Sequence, residues 1–135
     1  MANITLKIVT IFDAIFGLLV IISSFALWYQ GAFSSYSLGI QTLKWLFTLI
    51  RFACLILCAF FAWRNSRFTA WFAWGACAAF AIGGAADEVY KRGLAEGMNS
   101  LISEYYWVVG FHTMFAIVVW LLLIKSEASA SRKAC

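Results

Sequence analysis

The chain has 135 residues, 64% of them hydrophobic and 12% charged, with a mean hydropathy of +0.89 and a formal net charge of +4. A soluble domain carries about a quarter charged residues, and one this short buries only a modest share of its surface. A cytosolic enzyme, a disordered chain and a disulfide-stapled secreted module are excluded, which leaves an integral membrane protein.

A helix needs about 20 mainly apolar residues to cross a hydrocarbon core of roughly 30 Å. Four stretches meet that length: Leu6 to Trp28, Lys44 to Trp63, Phe68 to Ala86 and Tyr106 to Ile124. The predicted fold is therefore all-α: one membrane domain over residues 1–135, a four-helix bundle with a short tail from Lys125 to Cys135. Transmembrane strands would alternate in polarity, and these runs do not. The chain contains no proline, so nothing in it forces a kink.

Span one is too long an apolar run for a signal-peptide core and is kept as a span. It carries Asp13, about five residues inside its strict core and roughly 8–10 Å from the boundary at 1.5 Å per residue. An ionisable residue at that depth costs a few kcal/mol and points to function by default. Asp13 is the candidate proton site. Aligning antiparallel neighbours by their ends puts Leu27 beside Lys44, Asp13 opposite Cys58 and Arg51 opposite Val20, so Asp13 and Arg51 do not meet directly.

Span two carries Arg51, and span four carries His112. Both spans start on the same side, so the two residues share a depth of roughly 10 Å. Asp87 and Glu88 close span three on that side, and Glu104 precedes span four. Arg51, His112, Asp87, Glu88 and Glu104 thus form a candidate polar cluster, open to one face and suited to an anion, a headgroup or a proton. The competing structural interpretation has Arg51 snorkelling or paired with a carboxylate, and His112 satisfying a neighbour inside the bundle.

In span three Gly75, Ala79 and Gly83 recur every four residues. Small residues at that spacing let helix backbones approach closely, as in membrane helix association. An internal seam is favoured over an oligomer contact. The segment from Asp87 to Glu104 reads as an interfacial helix: Asp87–Lys91 and Glu88–Arg92 are favourable i,i+4 pairs, and Leu94, Met98, Leu101, Ile102 and Tyr105 make an apolar stripe. Gly93 and Gly97 weaken it. The four cysteines supply no metal-ligand or catalytic set, and no metal, cofactor or catalytic residue is expected.

Basic residues in short loops favour the cytoplasm. With the N-terminus inside, Lys7, Arg64, Arg67, Lys125, Arg132 and Lys133 are cytoplasmic, against Lys44, Lys91 and Arg92 outside. Both termini are accordingly expected inside; dual insertion is the alternative. Trp28, Tyr29, Trp45, Tyr105, Tyr106 and Trp107 form one interfacial aromatic belt, and Trp63, Trp71, Trp74 and Trp120 the other.

The run Leu6-Lys7-Ile8-Val9-Thr10-Ile11-Phe12-Asp13-Ala14-Ile15-Phe16-Gly17-Leu18-Leu19-Val20 is similar to the first span of MARVEL-type tetraspan proteins, with its leading basic residue and phenylalanines. The short-looped four-span topology is similar as well. The resemblance implies a membrane-organising protein of vesicles or junctions without enzymatic activity, and it supplies no site residues. The cysteines that several members carry in their outer loops have no counterpart here. The topology also resembles the small multidrug transporters, whose first span holds a glutamate where this chain has Asp13. The expected function is a non-enzymatic scaffold or accessory subunit; the alternative is a small transporter using Asp13 or the Arg51–His112 cluster. Expected partners are the bilayer and other membrane subunits or copies of this chain, and no nucleic acid.

Overall fold

The computed structural model describes residues 2–31, 36–103 and 106–134. Five helices follow in order: α1 (Ala2–Tyr29), α2 (Leu38–Trp63), α3 (Phe68–Arg92), α4 (Leu94–Ser103) and α5 (Tyr106–Ala134). Four of them are long and apolar enough to cross a membrane, and α4 is the short one. No strand occurs among the described residues.

The helices outrun the apolar spans. α2 starts at Leu38 rather than Lys44, α3 runs to Arg92 rather than Ala86, and α5 continues to Ala134 rather than Ile124. Apolarity marks the hydrocarbon core, whereas helix ends follow local propensity, and the Ala-, Lys- and Glu-containing stretch after Ile124 supports helix. The loop helix also divides. Asp87 to Arg92 belongs to α3, Gly93 turns the chain at φ 80°, and only Leu94–Ser103 forms α4.

α1 packs on α2 and α5, α2 on α3, and α3 on α5, which closes a ring of four antiparallel helices. The diagonal pairs, α1 with α3 and α2 with α5, have no backbone packing among the described residues. Both described chain ends and the α2–α3 turn lie at one end of the bundle, the termini end. The end of α1, the start of α2 and α4 lie at the other, the loop end.

Inward positions repeat with spacings of four and three. On α2 they are Lys44, Thr48, Arg51, Leu55, Cys58 and Ala62; on α5, His112, Ala116, Val119 and Leu123. That period is the seam of coiled-coil-like bundles. The termini half is a closed apolar core of Leu6, Cys58, Ala62, Ala73, Ala116, Val119 and Leu123, none more than 5% exposed. Large apolar side chains on the outside, such as Phe12, Trp71 and Phe111, face where lipid would lie.

The α2–α3 turn is tight. Asn65 takes a left-handed φ of 53°, a conformation asparagine tolerates better than most residues. Ser66 N donates to Phe61 O at 2.9 Å, and Thr69 Oγ1 donates to Ser66 O at 2.6 Å. This short connection makes α2 and α3 antiparallel neighbours, with the most extensive interface in the bundle. The small residues of α3 face it. A Cβ on Gly83 would stand 3.0 Å from Phe47 Cβ, one on Gly75 would stand 3.2 Å from Cys54 Sγ, and Ala79 between them is 5% exposed.

Candidate functional site

The inward stripe of α2 changes character along its length. From Ala62 to Leu55 it is apolar; at Arg51 it becomes cationic, and Thr48 and Lys44 continue it to the loop end. Arg51 is 8% exposed, at a position whose neighbours one turn below belong to the core. Its Nη2 lies 2.8 Å from His112 Nε2 on α5. Arginine only donates, so His112 Nε2 accepts and the imidazole carries its proton on Nδ1.

Phe80 of α3 fixes both groups. Its ring stacks on the His112 ring at 4.0 Å with 1° between planes, and Arg51 Cζ lies 4.8 Å from the Phe80 centroid. Three helices thus converge on one guanidinium. A cleft of about 200 Å³ runs from this point to the loop end, lined by Arg51, Thr48, Lys44 and Asp87 together with Phe47, Phe80 and the α3 glycines Gly83 and Gly84.

Asp87 is held in two ion pairs at the loop end of the cleft, one across to α2 and one within α3. Lys44 Nζ donates to Asp87 Oδ1 at 2.9 Å, and Lys91 Nζ donates to Asp87 Oδ2 at 2.8 Å. Lys44 also lies over the Tyr36 ring at 4.8 Å. Tyr36 meets Tyr90 edge-on, and Tyr90 Oη accepts from Ser37 N at 3.2 Å, which ties the start of α2 to the end of α3.

The sequence-predicted cluster therefore divides. Arg51 and His112 are in contact, and Asp87 lines the same cleft from its outer end. Glu88 turns instead to α4: Arg92 Nε lies 3.1 Å from Glu88 Oε2, and Ser100 Oγ donates to that oxygen at 3.0 Å. Glu104 and Tyr105 lie outside the described residues, as does Cys135. Asp13 is half-buried on α1 and forms no ion pair with Arg51. That agrees with the end-aligned register. The contact between Gly17 and Leu55 fits the same alignment.

Sequence inspection missed three contributors. Thr48 and Lys44 were legible in principle from the four-three spacing that joins them to Arg51. Phe80 was not, because one phenylalanine in an apolar span looks like any other. α4 also sits closer to α3 than its glycines suggested. A Cβ on Gly97 would fall 2.7 Å from Val89 Cα, so this glycine admits the α3 backbone to α4. Of the predicted stripe, Leu94 and Ile102 face outward, 72% and 71% exposed; the side chains of Met98 and Leu101 lie outside what is described.

The helices and their apolar outer faces define an all-α, multi-pass integral membrane protein. No match was found among protein-family models, characterised proteins or solved structures, and the likeness to MARVEL-type proteins rests on topology and on the α1 residues alone.

Proposed function

We propose that this protein is a non-enzymatic four-span scaffold or accessory subunit of a larger membrane assembly, with both termini cytoplasmic. The observation that carries this is the sealed termini half of the bundle. Leu6, Ala62, Ala73, Ala116 and Val119 are fully buried there, and among the described residues they make that half an apolar plug below the loop-end cleft. The polar side chains of the loop half, meanwhile, join helix to helix, as Lys44–Asp87 and Arg51–His112 do. Such cross-links suit a body that holds its shape for others to pack against.

A shallow groove between α3 and α5, where the small residues Ala81, Ala85 and Gly110 lie beside Tyr106, Met114 and Ile117, supports the same view. Small residues let a neighbouring membrane helix approach closely. The test is recovery of the protein at native abundance in mild detergent, with the mass and composition of the particle determined. A fixed-stoichiometry assembly larger than one 15.1 kDa chain is expected. Recovery as single chains at native abundance overturns the proposal.

The cleft itself favours a second reading, a small transporter working from the loop end. That reading requires the sealed half to open during a cycle, and uptake into reconstituted vesicles decides it.

A further inference from the structure

We propose that the termini end of α1 and α2 is a docking surface for the headgroup of an anionic phospholipid, held by Lys7 and Arg64 beside Trp63 and Phe60. This goes beyond a scaffold role, which specifies no lipid.

The first support is the unequal matching of charge at the two ends of the bundle. At the loop end the chain supplies carboxylates to its own cations: Lys44 and Lys91 lie on Asp87, and Arg92 lies on Glu88. The sequence places six basic residues at the termini end, Lys7, Arg64, Arg67, Lys125, Arg132 and Lys133, against one carboxylate, Glu127. Lys7, Arg64 and Arg67 form no ion pair among the described residues. Their counter-charge comes from outside the chain, and an anionic leaflet offers it as a layer of phosphates.

The second support is depth. Tryptophan settles at the membrane–water boundary, and Trp63, the last residue of α2 and 63% exposed, marks that level. Lys7 Nζ lies 5.0 Å from the Trp63 ring centroid, which sets the ammonium of α1 at the same level. Arg64 caps α2, yet its Cζ lies 4.9 Å from the Phe60 ring centroid. Phe60 is one turn deeper, about 5.4 Å. The guanidinium thus folds back toward the headgroup layer instead of reaching into water. Both rings hold a cation by cation–π attraction without neutralising it, so two positive charges stand ready on adjacent helices.

The third support favours a lipid over a free anion. Ile8 on α1 and Phe60 on α2 are exposed apolar side chains next to the cations. A lipid whose phosphate meets Lys7 and Arg64 lays its acyl chains along such surface, whereas a solute anion meets only the charges.

The experiment uses the full chain in a non-ionic detergent at low salt. Melting temperature is followed during titration with dioctanoyl phosphatidylglycerol, with dioctanoyl phosphatidylcholine, and with glycerol phosphate, a headgroup without chains. A cation near an anionic lipid surface contributes about fivefold in binding. Phosphatidylglycerol is therefore expected to give a saturable rise with a midpoint at least about tenfold below that of phosphatidylcholine. The difference should shrink as sodium chloride is added. Lys7→Gln and Arg64→Gln should each reduce it about fivefold, whereas Lys91→Gln, which removes the same charge at the loop end, should leave it intact. Equal midpoints for the two lipids overturn the proposal. So does glycerol phosphate binding as tightly as phosphatidylglycerol, which would make this a solute site. A preference that survives in both Gln variants, or that Lys91→Gln reduces equally, overturns it as well.

Discussion

Arg51 and His112 touch across a diagonal of the bundle, 2.8 Å apart, although their helices have no direct backbone packing. The reach is made by a long side chain passing beside Phe80, so the contact braces two helices that otherwise communicate only through α1 and α3. Removing the acceptor leaves a buried donor to find water or go without, a cost of about 1–3 kcal/mol. Measured hydrogen bonds between membrane helices are weaker, averaging about 0.6 kcal/mol in coupling. His112→Leu is therefore expected to destabilise the protein by about 1 kcal/mol. In a double-mutant cycle with Arg51→Met, the two losses should fall short of additivity. Full additivity in detergent unfolding would show that the contact contributes nothing.

The interface of α2 and α3 leads to a steric expectation. Ala79 is 5% exposed, between Gly75 and Gly83, whose missing Cβ atoms would crowd Cys54 and Phe47. Leucine at this position adds atoms where the helices have no room, and overpacking costs roughly 1–3 kcal/mol. Ala79→Leu should lower the melting temperature or dissociate the assembly. An unchanged melting temperature together with unchanged particle size would remove the seam.

α4 should behave as a separately clamped element. It is held to α3 by the Ser100–Glu88 hydrogen bond and by close approach at Gly97. A Cβ there meets backbone rather than a yielding side chain, so Gly97→Val must lift the helix. Faster amide exchange over residues 94–103 is expected, with little change within α1 and α2. Exchange equal to the parent protein would mean that α4 has another anchor.

Much of this was legible from residue type and spacing, and what escaped has physical reasons. Continuous apolarity located the four membrane helices because the bilayer imposes a length. It misplaced their ends, since Leu38 to Thr42 and the stretch after Lys125 are helical without being apolar. The i,i+4 pairs Asp87–Lys91 and Glu88–Arg92 form as expected, yet as the last turn of α3, because a helix carries such pairs wherever it stops. The common depth of Arg51 and His112 followed from counting residues, which put them in one candidate cluster; their contact across the diagonal did not follow from it. Glu88 has the same depth as Asp87 but the opposite outlook. Neighbouring positions on a helix point about 100° apart, so one carboxylate lines the cleft while the next meets Ser100. Phe80 acts through stacking, which leaves no trace in spacing.

Orientation is testable at two exposed described positions, one at each end. In a chain with Cys54, Cys58, Cys77 and Cys135 replaced, Arg67→Cys lies in the α2–α3 turn and Ser37→Cys just before α2. With the basic residues holding the termini inside, an impermeant thiol reagent should label Ser37→Cys in intact cells and Arg67→Cys only after lysis. The reverse pattern inverts the topology. Labelling of both in intact cells establishes dual insertion and strengthens the transporter reading.

Asp13 separates the two functional readings. A proton-coupled transporter needs a carboxylate that gains and loses a proton within its span, and acidic residues in membrane helices commonly mark such relays. Asp13 is half-buried on α1, and the end-aligned register sets it opposite Cys58, a member of the closed core. Under the transporter reading, Asp13→Asn abolishes uptake and leaves the fold intact, because asparagine keeps the shape but cannot release a proton. Under the scaffold reading, asparagine still hydrogen-bonds within the bundle, so abundance, assembly and melting temperature change little. The scaffold outcome is expected. The measurement is proton-driven uptake by the reconstituted parent and Asp13→Asn proteins, with assembly followed in parallel. Uptake by the parent that is lost in the variant would overturn the scaffold.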